Sequence, residues 1–396
     1  MSDMPRHPLA LALALSLGAA VALGITRFAY GLLLPAMRDD LGWSYLLAGA
    51  MNTGNAVGYF VGALATAALV RRLGVWRLLM LGMVLAAVFM LLAGWTTETA
   101  AWMGLRVLAG AASAWVFITG GVLAARLGAQ VPAQAGFLIG LYYGGTGLGI
   151  ALSAWLVPVA MGLAQAQGAA HTWQWPWWWL GLACLLAAGV LAWPARVLAA
   201  DVTGGGAGVP AGLAWRDVCF GLAGYGLFGA GYIGYMTFIV ALLREQGLSG
   251  PQITGFYAAL GLAVLASSRI WARMLDHFKG GESLAILNAV LAVVTVLPVV
   301  TRALPVVFAS GLVFGAVFLS VVASTTALVR HNLPPAAWTA GISAFTTVFA
   351  LGQIVGPVVV GWVVDGPGGL QRGLLVSAAL LLAAAVLASR QKALVR

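Results

Sequence analysis

Twelve long apolar stretches make up most of this chain, and they restrict it to a membrane-embedded helical fold. Hydrocarbon offers no partners to backbone N–H and C=O groups, so a segment that crosses it satisfies them internally, as a helix. A span needs about 20 mostly apolar residues. Such stretches lie at 9–36, 44–70, 75–95, 101–125, 135–159, 177–193, 218–243, 251–272, 283–301, 304–329, 337–364 and 373–389. The connections between them are short and leave no extramembrane domain. Hydrophobic residues are 62% of the 396, charged residues 8%, and the mean hydropathy is +1.00, outside the range of a soluble domain. Residues 1–17 have the basic head and apolar run of a signal peptide. The run continues to Pro35 without a cleavage site, so it reads as a retained first span.

Loop charges set the expected orientation, because Lys and Arg are retained on the cytoplasmic side. With the N-terminus inside, the inner segments hold Arg6, Arg71, Arg72, Arg77, Arg126, Arg196, Arg216, Arg269, Arg273, Lys279, Arg330, Arg390, Lys392 and Arg396. The outer ones hold only Arg38, Arg244, Arg302 and Arg372. Both termini are expected in the cytoplasm and the protein in the inner (plasma) membrane. The net charge of +10 is spread singly between apolar runs, which argues against nucleic acid, since that partner needs a solvent-facing basic stripe. Cys184 and Cys219 fall in apolar runs with no His or acid at ligand spacing, so no metal or cofactor is expected. Trp173, Trp175, Trp177, Trp178 and Trp179 cluster at the outer end of span six, as headgroup anchors or, alternatively, a ligand-stacking surface.

One stretch has linker composition: Thr203, Gly204, Gly205, Gly206, Ala207 and Gly208. It divides the chain into a six-span bundle at 1–200, a cytoplasmic linker at 201–212 and a second six-span bundle at 213–396. Inner loops recur between the halves, Arg71 with Asp276 and Arg126 with Arg330. Six plus six in parallel repeat is similar to the major facilitator superfamily. Arg71, Arg72, Leu73, Gly74, Val75, Trp76 and Arg77 resemble that family's glycine-and-basic loop, with Arg71 where an aspartate is usual. That departure puts the usual inner-gate carboxylate latch in doubt. The second copy, at Asp276, His277, Phe278, Lys279 and Gly280, keeps the acid. Arg106 followed by Gly110 resembles the family's Arg-x-x-x-Gly motif. Gly24, Ile25, Thr26, Arg27, Phe28, Ala29, Tyr30, Leu34 and Pro35 closely resemble the YbfB/YjiJ-like branch. Tyr143, Gly144, Gly145, Gly147, Gly149, Gly352, Gln353, Gly356, Pro357 and Gly361 fit it too. The resemblance covers the whole chain and implies an all-α membrane protein, twelve transmembrane helices in two six-helix bundles, working by alternating access. Gly54, Gly58 and Gly62 on span two, and Gly136, Gly140 and Gly144 on span five, form small-residue ladders that allow close helix approach. In facilitator folds spans two and eleven, and five and eight, meet across the halves. The ladders are therefore expected on those gating surfaces.

Away from their ends, the apolar stretches contain two charges, Arg27 and Arg106, and no acid. An embedded charge costs about 3 kcal/mol on insertion scales and usually marks a substrate or ion path. Arg27 lies about 12 Å inside the outer end of its span. Tyr30 shares its helix face, and Gly24 and Gly31 leave that face open. Two readings exist for Arg27. A guanidinium matches carboxylate and phosphate geometry; it also serves as structural glue on backbone carbonyls. Arg106 divides in the same way. Asn52, Asn55 and Tyr59 share a face of span two and either bond another helix or line a cavity. Tyr225, Tyr232 and Tyr235, with Phe345, Phe349 and Gln353, either wall the second half or form its core. No Asp, Glu, Lys or His stands within a span, which points to facilitated diffusion, exchange or a proton carried on the substrate.

The expected function is secondary transport of a small organic anion, a carboxylate first, by a monomer in the lipid bilayer. The residues expected at the substrate are Arg27, Tyr30, Asn52, Asn55, Arg106, Tyr143, Tyr232, Phe349 and Gln353. Those expected in gating are Arg72, Gly74, Arg77, Gly110, Gly144, Gly149, Asp276, Gly352, Gly356 and Pro357. The alternatives are efflux of drugs or other hydrophobic compounds, an intramembrane enzyme, and a receptor. Efflux carriers for cations usually hold a membrane-embedded acid, absent here. An enzyme lacks a paired-acid, metal or Ser–His arrangement in the spans, and a receptor lacks a signalling domain.

Overall fold

The computed structural model of the protein describes residues 7–198, 215–334 and 338–394. All regular structure among them is helical. Twelve long helices follow in order: α1 Pro8–Leu41, α2 Tyr45–Leu73, α3 Val75–Ala93, α4 Thr99–Gln130, α5 Ala135–Ala166, α6 Gln174–Val197, α7 Trp215–Glu245, α8 Gly250–Ile270, α9 Glu282–Val300, α10 Leu304–Asn332, α11 Trp338–Val364 and α12 Gly369–Ser389. A short helix, Ala272–His277, follows α8. Among the described residues, eleven helices are long and apolar enough to cross a membrane. The twelfth long helix is α8, Gly250–Ile270. Helices α4 and α5 are 32 residues each and exceed their apolar stretches. Hydropathy marks only the length inside hydrocarbon, whereas backbone hydrogen bonding carries a helix on through the headgroups. The expected linker at 201–212 lies outside the described residues.

Glycines with positive φ make the sharp reversals. Gly42, at φ 65°, ends α1 with its N–H on Arg38 O, as left-handed C-terminal caps do. Gly74, at φ 82°, turns α2 into α3.

Two compact units emerge. One holds α1, α2 from Gly54 onward, α3 to α6, and Gly250–Leu265 of α8; the other holds Trp43–Thr53 at the head of α2, α7, α8 from Ala266 onward, and α9 to α12. In the first unit α3 packs on α4 and α6, and α1 on α5. In the second α7 packs on α11 and α12, and α9 on α10 and α12.

The ladder on α2 corrects an expectation. A Cβ on Gly58 would collide with the Val107 carbonyl, one on Gly110 with the Asn55 carbonyl, and one on Gly62 would lie 2.6 Å from Ala111 O. These glycines bring α2 against α4 inside one unit, not against α11. Helix association in lipid rests on such close packing, and here the small face packs within one unit. The head of α2 is what meets α11: Gly49 lies against the Pro357 carbonyl, Thr53 donates to Ile354 O at 2.6 Å, and Gly361 of α11 closes on the Tyr45 carbonyl. On α5, Gly144 does meet α8, with Leu265 3.3 Å from a built Cβ, while Gly136 meets nothing within 4 Å.

The head of α2 is capped by a distant carboxylate. Asp365, just past α11, accepts the Tyr45 and Leu46 N–H groups, each at 2.8 Å. Ser44 Oγ accepts the Leu47 N–H at 3.1 Å, and Ser44 O that of Ala48 at 3.0 Å. The N–H groups of Tyr45, Leu46 and Leu47, which a helix start leaves without intrahelical partners, are thereby satisfied, and Ala48 begins the helix's own ladder.

Candidate functional site

Helix α1 is not α-helical throughout. Ala20–Phe28 winds as a π-helix, the wider coil that recurs at functional positions, and Arg27 sits at its end. Gly24 of this segment and Gly149 of α5 come together, a built Cβ on Gly24 lying 2.6 Å from the Gly149 Cα. Two glycines facing one another let the wide coil seat against α5. The Thr26 hydroxyl bonds back to Ala22 O at 2.6 Å and lies 2.8 Å from the Ser113 hydroxyl of α4.

Arg27 and Arg106 are buried in the same unit, 4% and 3% exposed. The Arg27 guanidinium carbon lies 5.4 Å from the centroid of the Tyr59 ring, and that of Arg106 lies 4.8 Å from Tyr30. Cation–π contacts of this kind are worth about 2 kcal/mol when desolvated. Arg106 Nη1 also donates to Thr26 O at 2.7 Å, which ties it to the residue before Arg27. The Asn55 amide donates to Arg106 O at 3.2 Å. Arg27, Tyr30, Asn55, Tyr59 and Arg106 therefore form one cluster drawn from α1, α2 and α4, with two cations, two π faces and an amide. Arg106 has the backbone bond of a structural residue together with a guanidinium beside the candidate anion path.

The remaining expected residues lie elsewhere. Tyr143 is half exposed on α5, with its ring beside Phe117 and Tyr142. Asn52, one turn before Asn55, belongs to the second unit and donates to the Thr237 hydroxyl at 2.8 Å. The two amides of that face are thus engaged by different helices. Tyr232 and Phe349 join Tyr225, Phe228 and Phe318 in a stack of near-parallel rings, with interplanar angles of 10° to 20° along the Tyr232 contacts. The Gln353 amide bonds the Tyr232 hydroxyl. Tyr235 stacks on Phe314, which joins it to Phe318 of the same stack, and its hydroxyl lies 2.9 Å from that of Ser310.

Among the gating residues, Gly352 and Gly356 press α11 on Gly226 and Ala230 of α7, and Arg72, Arg77 and Asp276 are exposed. The Arg77 guanidinium lies over the Trp76 ring at 5.7 Å. Two of the expected headgroup anchors are core residues: Trp173 and Trp177 are each 1% exposed and pack edge-on against Trp102 at 5.8 and 5.1 Å. Their indoles fill the gap between α4 and α6, which protects more apolar surface than the headgroup region would. Cys184 is buried and Cys219 exposed, both as free thiols.

Several site residues carry little signal in the sequence. Tyr59 was legible as one turn from Asn55. Ser113, Asp365 and Tyr257, whose hydroxyl donates to Phe28 O at 2.8 Å, were not, since each acts on a backbone or hydroxyl group far away in the chain, and no spacing encodes that.

The class the fold defines is a multi-pass helical membrane protein. Solved structures agree on the fold. The chain is similar to a bacterial homologue of the human lysosomal transporter Spinster, inward-facing and unoccupied, at 15% identity over 98% of both chains and a TM-score of 0.71. It is similar to the nucleoside transporter NupG at 12% identity over 98% and 99% of the two chains, TM-score 0.70. With FucP, a major facilitator superfamily transporter in the outward conformation, the values are 13%, 96%, 98% and 0.61. No curated protein matches. The family described as "Uncharacterised MFS-type transporter YbfB" matches residues 19–389, and the chain belongs to it. It is a multi-pass major facilitator transporter, with a small molecule as substrate and the lipid bilayer as its surroundings.

Proposed function

We propose that the protein moves a small organic anion, a carboxylate in the first instance, across the inner membrane by alternating access, as a monomer with both termini in the cytoplasm. The observation that carries this reading is the cluster of Arg27 and Arg106, two guanidinium groups buried side by side along α1 and α4 with Tyr30, Tyr59 and Asn55 around them. None of the ten acidic residues of the sequence falls inside an apolar stretch. The charge embedded at this depth is therefore cationic, and a charged cargo that complements it is an anion. Arg27 supplies the fork that reads a carboxylate, and Arg106 adds field and fixes the backbone beside it. Gly110, Gly144, Gly149, Gly352, Gly356 and Pro357 shape the surfaces around the path, and Arg72, Gly74 and Arg77, at the junction of α2 and α3, and Asp276, in the short helix after α8, face the cytoplasmic side. The 1–200 and 213–396 bundles are the two moving halves. With no Asp, Glu, Lys or His within a span, transport proceeds as uniport or exchange, or with the proton carried on the substrate.

The stacked rings of Tyr225, Phe228, Tyr232, Phe318 and Phe349 favour one second reading, efflux of hydrophobic compounds. A thermal-shift panel on purified protein separates the two. A true ligand stabilises by RT ln(1 + [L]/Kd), so acetate, succinate and benzoate should raise the midpoint in wild type and not in Arg27→Ala. A shift only with apolar or cationic compounds favours efflux and contradicts the anion reading.

A further inference from the structure

Two side chains from other helices bond the backbone on either side of Arg27. Arg106 Nη1 donates to Thr26 O at 2.7 Å, and the Tyr257 hydroxyl donates to Phe28 O at 2.8 Å. Tyr257 is fully buried and lies two turns into α8. The segment it reaches is the π-helical Ala20–Phe28. A π coil pairs each carbonyl five residues on, one more than the α pattern. Residues at its end consequently point in a direction that depends on how far the wide register runs. Side-chain direction along a helix follows the backbone register, so a bond on Phe28 O, at the last residue of the segment, fixes where Arg27 points.

We propose that Tyr257 is a positioning residue for Arg27: its hydroxyl holds the end of the π segment and sets the direction of the guanidinium, a role that rests on the anion-site reading for its transport consequence. Helix α8 suits this role. Beyond Leu265 it belongs to the second unit, where Ser267 O accepts the Ser320 hydroxyl at 3.2 Å and, just past the helix, the Trp271 indole donates to Ala316 O at 2.9 Å. One helix therefore carries the grip on the arginine's backbone in the first unit and the attachment to α10 in the second.

The test uses phenylglyoxal, a reagent for guanidinium groups, on the full chain in lipid nanodiscs, with modification of Arg27 and Arg106 followed separately by peptide mass spectrometry. Tyr257→Phe keeps the ring and removes the donor. Arg27 should then react about fivefold faster, the scale of one net hydrogen bond, while the rate at Arg106 and the thermal midpoint stay near wild type. Tyr257→Gln, which retains an N–H donor, should bring the Arg27 rate back toward wild type. If Tyr257→Phe does not accumulate, Tyr257→Met carries the same test. An unchanged Arg27 rate in a folded variant, or both arginines and the midpoint moving together as for a packing contact, overturns the proposal. Protection of wild-type Arg27 by sodium succinate or benzoate is measured in parallel. Its absence alongside an altered Arg27 rate removes the anion reading and leaves the positioning role standing.

Discussion

At the scale of the residue, the two embedded arginines divide the work unequally. Arg106 is tied to Thr26 O and lies over Tyr30, and removing it leaves a buried carbonyl without its charged donor. Such bonds are worth about 1.5 to 3 kcal/mol. Arg106→Leu is accordingly expected to lower stability by about 2 kcal/mol, read as a fall in the thermal midpoint in detergent; a midpoint equal to wild type would show that the bond contributes nothing. Arg27→Ala should keep the fold, because losing the charge also removes its cost of about 3 kcal/mol in the bilayer. Arg27→Lys keeps charge but not the planar fork, so its affinity for the carboxylate should drop at least about tenfold, measured by titration calorimetry. Equal affinity in the lysine variant would mean that only charge is read. Both arginines were legible in the sequence, since a charge amid apolar residues is conspicuous. Their partners were legible only where they share a helix face, as Tyr30 does with Arg27. The pairing found is crossed, Tyr30 with Arg106 and Tyr59 with Arg27, and it follows from the packing of three helices.

At the scale of the element, hydropathy located the helices well and their ends poorly. The stretch 101–125 became Thr99–Gln130, because a helix does not stop where the apolar run stops. The π-helical turn in α1 left no trace in composition. Its seat is legible only after the fact, in the meeting of Gly24 with Gly149. The glycine ladder on α2 was visible as a pattern, yet a ladder does not say which neighbour it faces; Gly58 and Gly110 show that it faces α4. Gly110→Val should therefore cost about 3 kcal/mol by overpacking and reduce folded yield, while Gly104→Ala, with nothing within 4 Å of a built Cβ, should be tolerated. Comparable yields for the two would refute the α2–α4 contact. The cap on α2 gives a local prediction. Asp365→Ala should cost about 1 kcal/mol, the usual worth of a helix N-terminal cap, and speed hydrogen exchange at the Tyr45 and Leu46 amides specifically. Unchanged exchange at those two amides would show that the cap is not formed in the membrane.

At the scale of the whole molecule, the class was legible in twelve apolar stretches and the family is shown by the match along 19–389, whereas the cargo is proposed from a handful of side chains. Solved structures of this fold include a nucleoside transporter and a fucose:proton symporter, so the fold leaves the substrate open and the proposal rests on the buried charges. The central claim is that Arg27 binds a transported anion without help from a titratable group in the spans. The direct measurement is counterflow in proteoliposomes, using the carboxylate that stabilises the purified protein and an uncoupler to abolish any proton gradient. Wild type should exchange the labelled carboxylate at an undiminished rate under the uncoupler, and Arg27→Ala should exchange it no faster than liposomes without protein. Counterflow in Arg27→Ala equal to wild type would contradict the account.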